Sequence, residues 1–425
     1  MQTSARSGEK GEKMYKTIDS CRACGNQQLE LVLDLGVQAL TGVFPKTPEE
    51  EVPVGPLALV KCHGPNACGL VQLADSFDAE RMYGNDYGYR SGLNQSMVRH
   101  LSQKVDSILE AFDPPPGSLV LDVGSNDGTT LAAYPPDRFR LVGVDPTAGK
   151  FRNFYPKGVE VVEDFFDTRV LDAVGGQKAS IITSFSMFYD LDDPVGFMRD
   201  VRRALARTGV WVFEQSYLPL MLERNSYDTV CHEHLEYYSL AQVSWTAEQA
   251  GLKIIDVEFN DINGGSFCVT AAPIEADRRP TQRVEKALEA EGDLRLQDLE
   301  TYHSFAARVE DSVRSIREFL HNARDQGRTV GALGASTKGN VLLQRCSINS
   351  DIVFAVGEVN SDKYGSYTPG TRIPIIPEDH LLAMEPDYLL VLPWHFRETF
   401  LGKTLPAGSR LVFPLPNLEV VGAKR

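Results

Sequence analysis

Between residues 118 and 216 the chain passes through five short β-rich runs: SLVLDVGSNDG, LVGVDP, VEVVED, SIITSFS and GVWVFEQS. Most are followed by helical periodicity. Strands buried on both faces read as nearly continuous apolar runs, and parallel neighbours need a crossover between them. This alternation therefore predicts a parallel sheet wrapped by helices, a doubly wound α/β domain. GLKIIDVEFN (251–260) and GGSFCVTAAP (264–273) then follow closely across Asp261-Ile-Asn-Gly-Gly265, which predicts a terminal hairpin.

The stretch from about Arg283 to Asp325 has no proline and, apart from Gly292, no glycine. Phe305, Val309, Val313, Ile316 and Phe319 recur at helical spacing, so one long connecting helix is expected. RTVGALGAS, DIVFAVGEV, DYLLVLPW and SRLVFPLP then repeat the strand–helix alternation, which predicts a second, smaller α/β domain.

Ahead of these regions stand Cys21-Arg-Ala-Cys24 and Cys62-His-Gly-Pro-Asn-Ala-Cys68. Two close cysteine pairs at glycine-bearing turns let four sulfurs converge on one ion, so Cys21, Cys24, Cys62 and Cys68 predict a closed, structural zinc site. His63 is an alternative donor, but four thiolates already complete the shell. Seven cysteines in a chain of 425 residues whose polar first stretch, MQTSARSGEKGEKMYK, lacks an apolar signal core fit reduced thiols better than disulfides. The organisation expected is a zinc-binding domain over 14–80, a central Rossmann-like domain over 81–280, and a linking helix with a C-terminal Rossmann-like domain over 281–425. A formal charge of −15 disfavours general nucleic-acid binding, and no apolar run approaches a membrane span. A cytoplasmic protein follows as the expectation, with monomer one of its open oligomeric states.

Leu119-Val-Leu-Asp-Val-Gly-Ser-Asn-Asp-Gly128 is an apolar strand ending in a small-residue turn ahead of Thr129. Such a turn lets backbone approach a ligand and presents free N–H groups. Asp122 lies at that strand's end, and Asp145 closes the next strand about twenty residues on, where an acid accepts ribose hydroxyls. The glycines fall short of G-x-G-x-x-G. A shortened turn with acid-terminated strands suits a nucleoside without pyrophosphate, S-adenosylmethionine, held by Asp122, Gly124, Ser125, Asn126, Asp145, Asp164, Phe165 and Phe185. An ordinary Gly-rich β–α connection is the plainer alternative.

SYDTVCHEHLEYYSL (226–240) concentrates His232, Glu233, His234 and Glu236. A metal site from His232, His234 and Glu236, a solvated polar turn, and a proton-transfer group all fit the residue types, although H-x-H-x-E does not match the helical H-E-x-x-H pattern. Gly331-Ala-Leu-Gly-Ala-Ser-Thr-Lys-Gly-Asn340 follows a strand and opens a helix, which offers backbone donors, hydroxyls and a cation to a phosphate, or else is a Rossmann turn without a ligand.

Tyr87-Gly-Tyr-Arg-Ser-Gly92, Asp122-Val-Gly-Ser-Asn-Asp-Gly128, His232-Glu-His-Leu-Glu-Tyr-Tyr-Ser239, Gly334-Ala-Ser-Thr-Lys-Gly-Asn340 and Tyr367-Thr-Pro-Gly-Thr-Arg-Ile-Pro374 occur in this order. In this order the set resembles the nucleotide-diphosphate-sugar C-methyltransferases of deoxysugar biosynthesis, from Cys21 to about Trp394. The resemblance implies a nucleotide-linked 4-keto sugar as partner, deprotonated beside its ketone, at C3, and methylated there. It implies His234 as the base, Glu233 as supporting acid or orienter, Tyr87 and Tyr189 in the catalytic cleft, and Tyr89 at the substrate, with Tyr237 and Tyr238 as packing or sugar-contact residues, Tyr238 taken as the sugar contact. Ser336, Thr337, Lys338, Asn340 and Lys363 would then hold the sugar nucleotide. Cys231 and Tyr189 depart from the family pattern, where tyrosine and histidine are common. An O- or N-methyltransferase and a non-catalytic ligand-binding module are the rival readings.

Overall fold

A computed structural model of the chain describes residues 15–77, Met82 and 90–422. Among the described residues three larger sheets organise the molecule.

The first sheet is antiparallel and small. β1 (Leu29–Ala39), β2 (Val54–Cys62) and β3 (Val71–Leu73) carry the cysteine knuckles at their ends, with Cys62 closing β2. The fourth strand comes from far along the chain. The two-residue strand Glu236–Tyr237 pairs with β3, Glu236 opposite Gln72 and Tyr237 opposite Val71. The histidine-rich segment is thus stitched to the cysteine-bearing domain.

The central sheet has seven strands. In chain order they are β4 (Leu119–Val123), β5 (Arg140–Val144), β6 (Glu160–Val162), β7 (Ala179–Phe185), β8 (Leu205–Ser216), then β10 (Leu252–Asn260) and β11 (Ser266–Pro273), with Glu236–Tyr237 counted as β9. Their spatial order is β10-β11-β8-β7-β4-β5-β6, parallel except at β11, which runs antiparallel to both neighbours. All five predicted runs and the hairpin are strands of this sheet. Residues of β4 are buried along its whole length, as its unbroken apolar sequence demands.

The single helix expected over 283–325 is two helices, α1 (Gln282–Asp293) and α2 (Leu299–Asp325). Arg295 takes a left-handed φ of 53° between them, and Tyr302 of α2 donates to the Leu296 carbonyl. The break leaves Glu291 at the end of α1 beside another helix's start. Its buried carboxylate accepts from the Leu240 and Ala241 amides and from the Tyr217 hydroxyl. Those amides are unpaired in any helix beginning there, so the break supplies an N-terminal cap.

The third sheet has six strands: β12 (Val330–Leu333), β13 (Val356–Glu358), β14 (Ile375–Pro377), β15 (Tyr388–Val391), β16 (Arg410–Phe413) and β17 (Glu419–Gly422), in the order β14-β13-β12-β15-β16-β17. Only the last pairing is antiparallel. Helix α2 buries Phe305, Val309, Val313, Ile316 and Leu320 in a core shared with this sheet and with Leu57, Leu59 and Tyr237 of the first. The first and third sheets are therefore packed together, and the segment 226–240 lies where all three units meet.

Candidate active site

Cys21, Cys24, Cys62 and Cys68 place their sulfurs within 4.8 Å of one another, with 3.6 Å between Cys21 and Cys68 and 3.5 Å between Cys24 and Cys62. Tetrahedral zinc with bonds of about 2.3 Å sets its sulfurs roughly 3.8 Å apart, so the donor set fits that ion. The Asn26 amide donates to Cys62 Sγ, and the neighbouring Cys21 and Cys68 thiols hold the Cys62 pKa far below the ordinary thiol value. This is a structural shell with no open position.

At the β4 end, Gly124 has a φ of 74°, and a Cβ there would lie 2.9 Å from Met187 Cγ, so only glycine leaves this turn open. Asp122 is buried, accepts from the Thr183 hydroxyl at 2.6 Å, and has its pKa pushed up to about 7 by burial. Asp145 accepts from the Asn126 amide at 2.9 Å and from the Thr147 amide and hydroxyl at 2.7 and 2.6 Å, which shapes the turn around its carboxylate. Ser125 Oγ is 2.7 Å from the Tyr155 hydroxyl. Asp164 and Phe165 are exposed beyond β6, Phe165 at 44%, as an adenine-flanking pair would be, whereas Phe185 packs against the core at the end of β7. The glycine turn, the Asp145 carboxylate and the exposed Phe165 ring fit an S-adenosylmethionine site.

Tyr87 and Tyr89 lie outside the described residues. The residues that follow them are tied to the same turn: Ser91 donates to Asn126 Oδ1 at 3.0 Å, and Gly92 to Asp127 Oδ2 at 3.0 Å.

The HEH triplet splits by environment. His232 is buried, its ring edge-on to Phe77 at 4.6 Å, and burial lowers its pKa to about 4. Its Nε2 lies 3.4 Å from the Gly55 carbonyl of the first sheet, whereas His234 turns to Thr229 and Tyr189, so the two do not share an ion. Among the described residues the only cluster able to hold a metal is the four cysteines. Glu233 is part-buried and accepts from the Thr41 hydroxyl at 3.3 Å; burial raises its pKa. A Cβ on Gly42 would stand 2.7 Å from Glu233 Oε1, so the cysteine-bearing domain closes directly on this carboxyl.

His234 is also part-buried, with its ring centroid 4.2 Å from that of Tyr189. Its Nδ1 lies 3.0 Å from the Thr229 carbonyl. A carbonyl only accepts, so Nδ1 carries the hydrogen and Nε2 keeps its lone pair. Burial first, and then the nearby Lys338 charge, lower the His234 pKa to about 3.

Tyr238 takes a different place from the sugar contact expected of it. It is 0% exposed, stacks on Phe188 at 5.2 Å and donates to Glu236 Oε2 at 2.8 Å. A sugar could reach it only if the core opened.

The Gly334–Asn340 turn reaches into the same junction. Ser336 Oγ caps its own helix α3 (Thr337–Arg345) by accepting from the Gly339 amide at 3.0 Å, and Thr337 opens that helix. Asn340 is fully buried and donates to the Thr41 carbonyl at 2.8 Å. Lys363 donates to the Ala335 carbonyl at 2.7 Å and lies 4.5 Å over the Phe44 ring. Lys338 donates to the Asn263 carbonyl at the tip of the β10–β11 hairpin. The motif thus clasps the first domain and the hairpin, and both Lys338 and Lys363 have protein partners.

Four contributors escaped sequence reasoning: Thr41, Asp228, Asn263 and the Trp394-His395 pair. Trp394 Nε1 donates to Asp228 Oδ2 at 2.8 Å, and the Gly264 backbone approaches both Trp394 and His395. A histidine just past a parallel strand's C-terminal end was the signal available for His395.

Three family models match consecutive stretches of the chain. Residues 21–83 match a "Putative zinc binding domain", 95–257 a "Methyltransferase domain", and 261–416 a "C-methyltransferase C-terminal domain". C-methyltransferase NovU from Streptomyces niveus is 29% identical over 97% of this chain and 99% of its own length. Among solved structures, the CcbJ methyltransferase from Streptomyces caelestis aligns over 40% of this chain and 89% of its own, at 16% identity and a TM-score of 0.32. The mitomycin 7-O-methyltransferase MmcR aligns over 43% and 55%, at 15% identity and a TM-score of 0.33.

Proposed function

We propose that this chain, an S-adenosylmethionine-dependent C-methyltransferase with a zinc-binding N-terminal domain, methylates the carbon beside the ketone of a nucleotide-linked 4-keto-deoxyhexose, at C3. The sequence motifs supply the substrate class. The observation that carries the mechanism is the His234 tautomer: with Nδ1–H directed to Thr229, Nε2 is an available base.

A hydrogen next to a ketone is weakly acidic because its electron pair can pass to the carbonyl oxygen. His234 Nε2 takes that proton and leaves an enolate. S-adenosylmethionine supplies the electrophilic methyl, held by the Gly124–Asn126 turn, Asp145, Asp164 and Phe165. Burial keeps His234 neutral, so no proton need first leave it. Tyr189 packs against its ring, and burial raises the pKa of the adjacent residue Glu233.

The test is direct. Purified protein incubated with nucleotide-4-ketohexoses and S-adenosylmethionine should yield a product heavier by one methylene equivalent, with loss of the C3 hydrogen. Methyl found on oxygen or nitrogen would replace the carbon-acid mechanism with simple alkylation.

A further inference from the structure

We propose that Lys338, contributed by the C-terminal domain, is a catalytic residue of the methyl transfer: its ammonium receives the ketone oxygen of the substrate and stabilises the enolate. The assignment rests on the C-methylation reading above and gives the C-terminal domain a chemical task.

Three observations support it. First, Lys338 is turned out of its own turn. Its Nζ donates to the Asn263 carbonyl of the methyltransferase hairpin and leaves further N–H donors for a ligand. A lysine serving a phosphate at the α3 N-terminus would instead point along that helix, where Ser336 already occupies the Gly339 amide.

Second, the lysine's anchor borders the segment that carries His234: Asn263 holds Nζ, a Cβ on Gly264 would lie 3.7 Å from His395 and 3.9 Å from Trp394, and Trp394 Nε1 donates to Asp228. Burial lowers the Lys338 pKa, the charge of Asp228 opposes that shift, and the lysine's own charge bears on His234 and His395. Asp228 is 1% exposed, with Oδ2 fixed by Trp394 Nε1 and Oδ1 holding no hydrogen bond. The Asn263–Gly264 backbone, at φ of 54° and 91°, fits under Trp394 and His395 and so fixes the lysine's anchor. Third, Lys338, Glu233, His234 and His395 are part-buried residues at one junction of the three units.

The chemistry requires such a group. When Nε2 takes the C3 hydrogen, the C–H pair becomes the C3–C4 double bond and the carbonyl pair moves to oxygen, which gains a negative charge. When C3 takes the methyl, the pair returns and the ketone reforms. Charge appears on the oxygen only between these events, so a fixed ammonium there acts on the transition state more than on the substrate. The same cation that makes free His234 a poor proton acceptor is neutralised as the enolate forms, and this strengthens the base when it is needed.

The experiment compares wild type, Lys338→Met and the charge-balanced double variant Lys338→Met/Asp228→Asn. It follows two readouts: C3 hydrogen exchange of a nucleotide-4-ketohexose in deuterated water with S-adenosylhomocysteine present, and methylation with S-adenosylmethionine. Both should fall about 100- to 1,000-fold in both variants, the range for losing one oxyanion partner. KM and the calorimetric affinity for the nucleoside diphosphate alone should stay within about threefold of wild type, a change of under ~1 kcal/mol. Near-normal exchange in a folded variant overturns the assignment, as does a tenfold loss of nucleoside diphosphate affinity with kcat retained, which would make Lys338 a phosphate ligand. Should the single variant not fold, the double variant decides. A wild type that neither exchanges nor methylates any nucleotide-4-ketohexose defeats the substrate reading itself; an active wild type with an active Lys338→Met defeats the lysine assignment alone.

Discussion

Replacing His234 with asparagine separates binding from proton abstraction. The asparagine amide nitrogen reaches about as far from the backbone as Nδ1, so the donor to the Thr229 carbonyl, 3.0 Å away in the native protein, is retained. What is lost is Nε2 and the ring contact with Tyr189 at 4.2 Å. Such a ring contact is worth about 0.5–1.5 kcal/mol, so the variant should fold. A positioned general base contributes roughly 10²–10⁴ in rate, about 2.7–5.5 kcal/mol of barrier, and turnover should fall by that factor. Exchange of the C3 hydrogen in deuterated water should fall with it. S-adenosylhomocysteine affinity, measured by calorimetry, should stay within about threefold because His234 lies outside the Gly124–Asp145 turn. A His234→Asn protein that keeps more than a tenth of wild-type exchange would refute the reasoning and move the base to another group of the cleft, Glu233 or Tyr189 among the described residues.

The same substitution carries a stability signature. Folded His234 titrates near 3 rather than at the ordinary value of about 6.5, so as pH falls from about 6.5 toward 4 the unfolded chain takes a proton that the native protein refuses. Native stability is lost over that window at up to ~1.4 kcal/mol per pH unit for this histidine. Glu233 and Asp228, raised by burial, act in the opposite sense but cancel in a difference. Urea unfolding should therefore show His234→Asn gaining relative to wild type on acidification; a pH-independent difference would mean that His234 is not desolvated. Asp145→Asn keeps one acceptor for the Asn126 and Thr147 donors but weakens the ribose side, and S-adenosylmethionine affinity should drop about ten- to a hundredfold by calorimetry, the range for one or two hydrogen bonds. An unchanged affinity would put the ribose elsewhere. Cys62→Ser removes a sulfur at the end of β2, so zinc content should fall well below one per chain and turnover should fall with it, because β3 links β2 to the Glu236–Tyr237 strand. Full turnover in a metal-free Cys62→Ser protein would show that the site segment is held without the zinc domain.

How much of this was legible in sequence depended on the range of the forces involved. The strands of the central sheet announced themselves because each must be apolar on both faces, and the cysteine pairs because a knuckle is a local structure. The break between α1 and α2 gave no such sign. The periodicity runs on through 294–298, and the interruption makes sense only once Glu291 is seen capping the helix that starts at Leu240. Tyr238 was misplaced for a related reason. A polar, aromatic-rich segment looks like a surface, yet its neighbour Glu236 enters the first sheet and draws Tyr238 onto Phe188 in the core.

The junction itself explains why the rest was hidden. His234 was singled out by its motif, but its surroundings are set by residues outside that motif: Thr229 sets the tautomer, the Lys338 charge lowers its pKa further, and Thr41 meets its neighbour Glu233. Asn340 ties Thr41 to the C-terminal domain, and Gln344 holds Ala39 through both backbone groups. Each of the three units thus supplies polar groups to one junction. A chemistry that separates charge across a substrate needs a base on one side and a cation on the other, held at fixed distance. With the base and the cation proposed on different domains, a methyltransferase fold alone, without its flanking domains, would supply the one without the other.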